Sequence, residues 1–189
     1  MPKALPALLL AGLIATAAGA APPAEWVGQA ALPGLVIGHR LSNGQSMIVE
    51  RVPPGETVER WTRMVTNQRF AGQLAGGTLD RWLPNYLGGI EQGCPGFRPG
   101  ASTRLRIEGR PALDIRVDCP RNPATGQPET FFLRAIASGA TLHLAQVAFR
   151  HVPSAEETRW AQTHLASVTL CTRASRSPAC RAGPEPFDR

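Results

Sequence analysis

Two apolar segments near the start of the chain are separated by a turn-forming tripeptide. GLVIGHRL (residues 34–41) and QSMIVERV (residues 45–52) flank Ser-Asn-Gly at 42–44, a sequence typical of the tight turns in β-hairpins. Two prolines and a glycine at 53–55 then end the second segment. The pattern predicts a hairpin of two strands over residues 34–52.

After this hairpin the spacing of apolar residues changes to the three-to-four period of a helix. Within residues 56–70, Val58, Trp61 and Val65 recur at that spacing. Thr57 can cap the start of the segment, because its hydroxyl accepts from free backbone N–H groups. The pattern predicts a first helix here.

Residues 78–90 follow the helical spacing more closely. Pro84 conflicts with an uninterrupted helix from Thr78, because proline lacks a backbone donor and clashes with the preceding turn. It lies either in the first turn or where two short helical pieces meet. The apolar residues of this second helical segment are Leu79, Trp82, Leu83, Tyr86, Leu87 and Ile90.

Beyond residue 100 apolar and polar positions alternate, as they do in strands. STRLRIEG and ALDIRVDC predict a second hairpin, joined at residues 109–111. We expect Ile107 to lie opposite Leu113 and Arg106 opposite Asp114, with one apolar and one charged face. TFFLRAIA and TLHLAQVAFRH predict two more strands, central in the sheet and covered on both faces.

A capping box formed by Ser154 and Glu157 predicts the start of a last helix. The order of elements is therefore two strands, two helical segments, four antiparallel strands and a final helix. It predicts an α+β fold, an antiparallel sheet of about six strands with helices packed on it.

This order resembles that of the PsbP-like α/β/α sandwich. The resemblance covers residues 34–170 and includes the E-T-V-E-R-W segment after the first hairpin and the long meander before the closing helix. It is a resemblance of architecture without a diagnostic motif, so it assigns no functional residue. It implies a small, non-enzymatic accessory protein that binds a larger assembly.

The first 20 residues have the three parts of a secretory signal peptide. Lys3 precedes an apolar run over residues 4–15, and Ala18 and Ala20 supply the small side chains of a cleavage site. The run is too short for a comfortable membrane span; an uncleaved anchor is the alternative. We expect cleavage after Ala20 and a periplasmic or secreted protein without a transmembrane segment.

The rest of the chain has the length of one domain. Residues 21–33, rich in proline and small side chains, predict an extended leader. Residues 34–171 predict a single α+β domain, and residues 172–189 a polar tail tied back by a disulfide. Trp26 in the leader either contacts a partner or docks onto its own domain.

The chain carries a net charge of +6, and a basic protein raises the question of nucleic-acid binding. Its one lysine, Lys3, lies in the predicted signal peptide, and its arginines are scattered singly. A nucleic-acid surface would need clustered cations. We therefore predict no nucleic-acid partner.

Four cysteines, Cys94, Cys119, Cys171 and Cys180, make an even set. In an exported protein such a set predicts disulfide bonds. The absence of C-x-x-C argues against a redox dithiol and a zinc site. Four cysteines allow three pairings, of which we favour the local one, Cys94–Cys119 with Cys171–Cys180.

Recognised catalytic motifs are absent from the sequence, and we predict no cofactor and no metal site. His143 lies in a predicted central strand and is interpreted as a hydrogen-bonded core histidine. Asp114 and Asp118 are about 13 Å apart along one strand, which is too far for the paired carboxylates of a glycosidase.

Arg104, Arg106 and Arg116 are predicted to share the charged face of the second hairpin, either as a salt-bridged surface or as a partner surface. Together these features predict an exported, disulfide-bonded, non-catalytic accessory or binding domain of the bacterial cell envelope. Its partner would be an unidentified envelope protein or component. The alternative is a small hydrolase that uses scattered residues such as His143 and Asp114.

Overall fold

The computed structural model describes residues 25–183. The predicted signal peptide and its cleavage site lie outside the described residues. The described strands are β1 (Glu25–Gly28), β2 (Val36–Ser42), β3 (Ser46–Val52), β4 (Arg63–Phe70), β5 (Arg98–Pro99), β6 (Thr103–Ile107), β7 (Arg110–Cys119), β8 (Glu129–Ser138), β9 (Thr141–Phe149) and β10 (Thr169–Thr172). The helices are α1 (Leu79–Gly93), α2 (Ala155–Ser167) and a 3₁₀ turn (Pro178–Cys180).

Eight of these strands form one antiparallel sheet. Its order is β2-β3-β4-β9-β8-β7-β5, with β6 also paired to β7, and β1 pairs separately with β10. The predicted α+β class is confirmed, with more strands than the six expected. No helix among residues 25–183 is long and apolar enough to cross a membrane.

The large sheet has a separate apolar core on each face. On one face, Leu79 and Leu83 of α1 pack against sheet residues such as Leu133. On the other face, α2 and the β1–β10 pair cover residues such as Phe132 and Val147. Because β8 and β9 contribute to both cores, the prediction that these strands are covered on both faces is confirmed.

The helix predicted over residues 56–70 is wrong, because its second half forms β4. β4 lies between β3 and β9, and its side chains alternate between the two cores, with Met64 in the α1 core and Val65 in the α2 core. Thr57 and Arg60 close only a turn, through two backbone hydrogen bonds of 3.0 Å. Pairing on both sides of a central strand outweighs the helical spacing of a few apolar residues.

The second hairpin forms with a different register from the predicted one. Ile107 lies opposite Arg110 rather than Leu113. Glu108 and Gly109 alone make the turn, with φ values of 48° and 74°. Positive φ at both central residues is the signature of a two-residue type I′ turn, which is tighter than the predicted connection at 109–111.

This register also contradicts the predicted separation of an apolar and a charged face. Arg104 lies opposite Leu113, and Arg106 lies opposite Pro111 rather than Asp114. The two arginines therefore lie on the α1 side of the sheet. Arg116 lies opposite Phe132 and belongs to the other face.

Both long helices form where the sequence predicts them, but the position of Pro84 differs from the prediction. α1 is one helix from Leu79 to Gly93, so Pro84 lies neither in its first turn nor at a junction of two helical pieces, and both predicted alternatives are wrong. α2 begins with the predicted capping box, in which Ser154 and Glu157 exchange side-chain-to-backbone hydrogen bonds of 3.2 and 2.8 Å.

Part of the predicted leader is a strand of the domain. β1 pairs with β10 over four residues, from Glu25 opposite Thr172 to Gly28 opposite Thr169. Trp26 is buried against the Cys171–Cys180 disulfide, so it docks onto its own domain. A side chain at Gly28 would collide with the sulfur of Cys171.

Candidate functional site

All four cysteines form disulfides in the pairing favoured from the sequence. Cys94, just after α1, is bonded to Cys119 at the end of β7, with a Cα–Cα distance of 6.0 Å. Cys171 of β10 is bonded to Cys180 of the 3₁₀ turn, at 5.6 Å. No free thiol remains for nucleophilic or metal chemistry.

The three arginines predicted as one surface are divided between two faces and have intramolecular partners. Arg104 forms an exposed ion pair with Asp80 of α1, and Arg106 donates to the carbonyl oxygen of Gly109 at 2.8 Å. Arg116 binds both carboxylate oxygens of Asp118 at 3.0 and 3.1 Å through Nε. A single partner surface made of these three side chains is therefore not formed.

His143 is buried and has no hydrogen-bond partner within residues 25–183, so the prediction of a hydrogen-bonded core histidine is wrong. The residue is 1% exposed, and both ring nitrogens lack a partner among the described residues. Its neighbours on the adjacent strands are Arg69 of β4 and Ile136 of β8. Burial lowers the pKa of His143 to about 4, with Glu25 opposing the shift and Arg69 adding to it.

Asp114, the carboxylate that the hydrolase alternative would use, is bound to Arg134. Its two oxygens accept hydrogen bonds of 2.7 Å from Arg134, and β8 lies between its strand and that of His143. The structure does not bring this histidine and this carboxylate together. Within the described chain, no group of His, Cys, Asp and Glu is arranged to hold a metal ion.

Arg134 is an important residue that the sequence analysis missed. Its side chain, 7% exposed, joins Asp114 to the carbonyl oxygens of Leu165 and Val168 at the end of α2. A cation at this position satisfies free carbonyl groups and complements the negative end of the helix dipole. The available signal was a lone arginine within the apolar run TFFLRAIA.

We expect the buried histidines to make the protein sensitive to acid. Burial lowers the pKa of His143 and of His164 to about 4, whereas an unfolded histidine has a pKa of about 6.5. At a pH between these two values the unfolded state binds more protons than the folded state. The two histidines therefore cost no stability above about pH 6.5, and the free energy of unfolding falls as the pH approaches 4. At pH 5 each histidine should lower the free energy of unfolding by about 2 kcal/mol.

Urea unfolding at pH 7 and pH 5 measures this loss. His143→Leu removes one titrating group and should remove about half of the difference between the two pH values. An unchanged pH dependence in this variant would show that the imidazole does not contribute.

The two long edges of the sheet differ in how they are protected from pairing with other chains. β6, at one edge, presents the exposed side chains of Arg104 and Arg106. β2, at the other, has exposed apolar residues, with Val36, Ile37 and Leu41 exposed to 47, 43 and 60%. Charged residues are a common means of blocking an edge. β6 has two exposed arginines, whereas β2 has one half-buried arginine, Arg40, among its exposed apolar residues.

The exposed side chains of β2 lie on both faces of the sheet. Val36 and Leu41 lie opposite Val52 and Ile48 of β3, toward the α1 side. Ile37 lies opposite Arg51, toward the α2 side, and the register shift between Ile37 and His39 places Leu41 on the opposite face from it. Within residues 25–183, no strand pairs with the outer side of β2. Val36, Ile37 and Leu41 therefore flank a sheet edge that, among the described residues, is not extended by a further strand.

A groove of about 400 Å³ is the second candidate site. It lies between α1 and the preceding loop, residues 73–78, which is held by a 2.9 Å hydrogen bond from Leu74 N–H to the Ala140 carbonyl. Burial raises the pKa of Tyr86 to about 12, with a smaller contribution from Glu129, so its phenol is neutral. The helix residues that line the groove are Arg81, Trp82, Asn85 and Tyr86.

No protein-family model matches this chain, and no curated protein matches it. Solved structures with a similar fold include PA94 of Pseudomonas aeruginosa, a protein of unknown function described as a putative regulator. It is 13% identical, with a TM-score of 0.52 over 71% of this chain and 88% of that chain. The Ran-binding protein Mog1p of Saccharomyces cerevisiae is 11% identical, with a TM-score of 0.46 over 73% and 78%.

At these identities the similarity concerns the fold alone. The likeness to PA94 supports a sandwich of antiparallel sheet and helices, the architecture that the PsbP-like resemblance implied. It transfers no functional residue to this chain.

Proposed function

We propose that this protein is an exported, non-catalytic accessory domain of the bacterial cell envelope that binds a partner protein along β2. The observation that carries the proposal is the exposed apolar edge formed by Val36, Ile37 and Leu41. An extended partner segment can add to such an edge by main-chain hydrogen bonds, while its side chains pack on these apolar residues.

The length of β2 is sufficient for this mode of binding. The strand has seven residues, so it spans about 24 Å. Its inner side is fixed by pairing to β3, and β3 is paired in turn to β4. A partner would therefore add to a strand that is already ordered, at little conformational cost.

Export is supported by two independent features. The first 20 residues have the pattern of a signal peptide. Both disulfides are of the kind that persists in an oxidising compartment. The hydrolase alternative is less well supported, because His143 is buried and Asp114 is bound to Arg134.

Site-specific photo-crosslinking tests the proposed surface. A photoreactive residue at Leu41 should capture a specific protein in an extract of the envelope. Val152, which is 72% exposed before α2, provides a matched control position that should not capture it. Equal capture from both positions would contradict binding along β2.

With the photoreactive residue moved to Val36, we expect Leu41→Lys to weaken capture at least about tenfold, because a charge would be placed beside the exposed apolar side chains of β2. The change should alter stability by less than about 0.5 kcal/mol, since the side chain is exposed. Val152→Lys is the control and should leave both capture and stability unchanged. Undiminished capture by Leu41→Lys would refute the proposed site.

A further inference from the structure

The groove beside α1 contains an aromatic surface. The rings of Trp82 and Tyr86 are stacked, with centroids 4.8 Å apart and an angle of 25° between their planes. Both side chains are partly buried against the α1 core, and both also line the groove. The stacked pair thus forms an aromatic part of the groove wall.

Polar groups around this wall are available for binding. The side chains of Gln73 and Thr78 take part in no hydrogen bond within the described residues, and Thr78 does not cap α1. The Asn85 amide makes only a long contact of 3.5 Å to the Arg81 carbonyl. Arg81 donates one N–H to the Gly76 carbonyl at 3.3 Å and has further donors.

We propose that this groove is a saccharide-binding site. A sugar ring has an apolar face of C–H groups that packs on an aromatic ring, and hydroxyl groups at its rim that both donate and accept hydrogen bonds. The aromatic pair matches the first feature. The amides of Gln73 and Asn85, the hydroxyl of Thr78 and the guanidinium of Arg81 match the second.

Other small-ligand classes fit the lining less well. A purely apolar ligand would desolvate the amides and the guanidinium without giving them partners. A polyphosphate would require several cations, and among residues 25–183 Arg81 is the one charged side chain that lines the groove. The volume of about 400 Å³ is within the usual range for clefts that hold small ligands.

The groove is separate from β2, so this inference goes beyond the proposed function, and its failure would leave that function standing. The test is an NMR titration of the protein with three soluble probes, chitotriose, cellotriose and maltotriose. At least one should shift the Trp82 indole N–H and the Asn85 side-chain amide saturably, with a Kd below about 10 mM.

Variants then locate the binding. Asn85→Ala and Gln73→Ala change exposed positions and should weaken binding by about tenfold. Gln92→Ala, an exposed position of α1 outside the groove, is the control and should leave the Kd unchanged. Trp82→Leu keeps an apolar side chain on the core but removes the aromatic face, and should abolish binding.

Three results would overturn the proposal. The first is the absence of saturable shifts with all three saccharides, and the second is shifts that persist equally in Asn85→Ala. The third is a proline-rich peptide that moves the same resonances at lower concentration than any saccharide, which would make the groove a peptide site.

Discussion

Replacing Asp114 by alanine is expected to lower the free energy of unfolding by about 3 to 5 kcal/mol. The change would leave the guanidinium of Arg134 buried with only the carbonyl oxygens of Leu165 and Val168 as partners. In the native protein, Coulomb attraction and hydrogen bonds to the Asp114 carboxylate offset the hydration that the Arg134 guanidinium loses on burial. The alanine variant keeps this loss of hydration without the compensating contacts. Chemical denaturation at neutral pH measures the change.

A matched control is the exposed ion pair between Asp80 and Arg104. Both side chains are 62% exposed, so Asp80→Ala should cost at most about 1 kcal/mol. Similar losses from Asp80→Ala and Asp114→Ala would contradict the burial of the Arg134 pair. Arg134→Met, which removes the buried charge itself, should cost less than Asp114→Ala.

Loss of the Cys94–Cys119 disulfide is expected to destabilise the fold by about 3 to 4 kcal/mol. The bond closes a loop with a sequence separation of 25, and opening it restores conformational freedom to the unfolded chain. Cys94→Ser, Cys119→Ser and the double variant should cost nearly the same, because either change alone removes the bond.

The second disulfide provides the comparison. Cys171–Cys180 spans only 9 positions, for which the same estimate is about 2.5 kcal/mol. A greater loss from opening this shorter loop would show that packing of Cys171 and Cys180 against Trp26, rather than chain entropy, dominates. Reversible urea unfolding of each double serine variant distinguishes the two cases.

Local signals in the sequence were sufficient for much of the fold. The capping box of Ser154 and Glu157 and the turn at residues 42–44 each involve neighbours in sequence, and each forms as predicted. The disulfide pairing followed from the same preference for local contacts. Such signals do not depend on the strand order, which explains why they were reliable.

Features that depend on distant partners were not predictable in this way. β4 was predicted as a helix because its pairing with β9 joins residues about 80 positions apart, as for Val65 and Val147. The register of the second hairpin depended on the backbone of Glu108, a residue that rarely adopts positive φ. β2 is exposed because it lies at the edge of the sheet. That position is set by the strand order of the whole sheet and not by the seven residues of β2.

The candidate sites likewise combine residues that are visible in the sequence with contacts that depend on distant partners. Each side chain of the groove was visible in the sequence, but Trp82 was identified only as an apolar residue of the second helical segment. Helical spacing alone does not distinguish a residue that packs on a core from one that also lines a groove. Arg134 and Asp114 are 20 positions apart, and their pairing required the β7–β8 register. The sequence therefore identifies the chemical groups, whereas the fold determines which of them lie close together.

The pairing of β1 with β10 has a consequence for the order in which the protein matures. Glu25 is synthesised first among the described residues, yet its partner Thr172 emerges nearly 150 positions later. The large sheet, from β2 to β9, can form before then, because its strands are complete by Phe149. Strand β1 can pair with β10 only after almost the entire polypeptide has been synthesised. An arrested or truncated chain that lacks β10 would thus carry an unpaired β1, with Trp26 exposed to quality-control proteases.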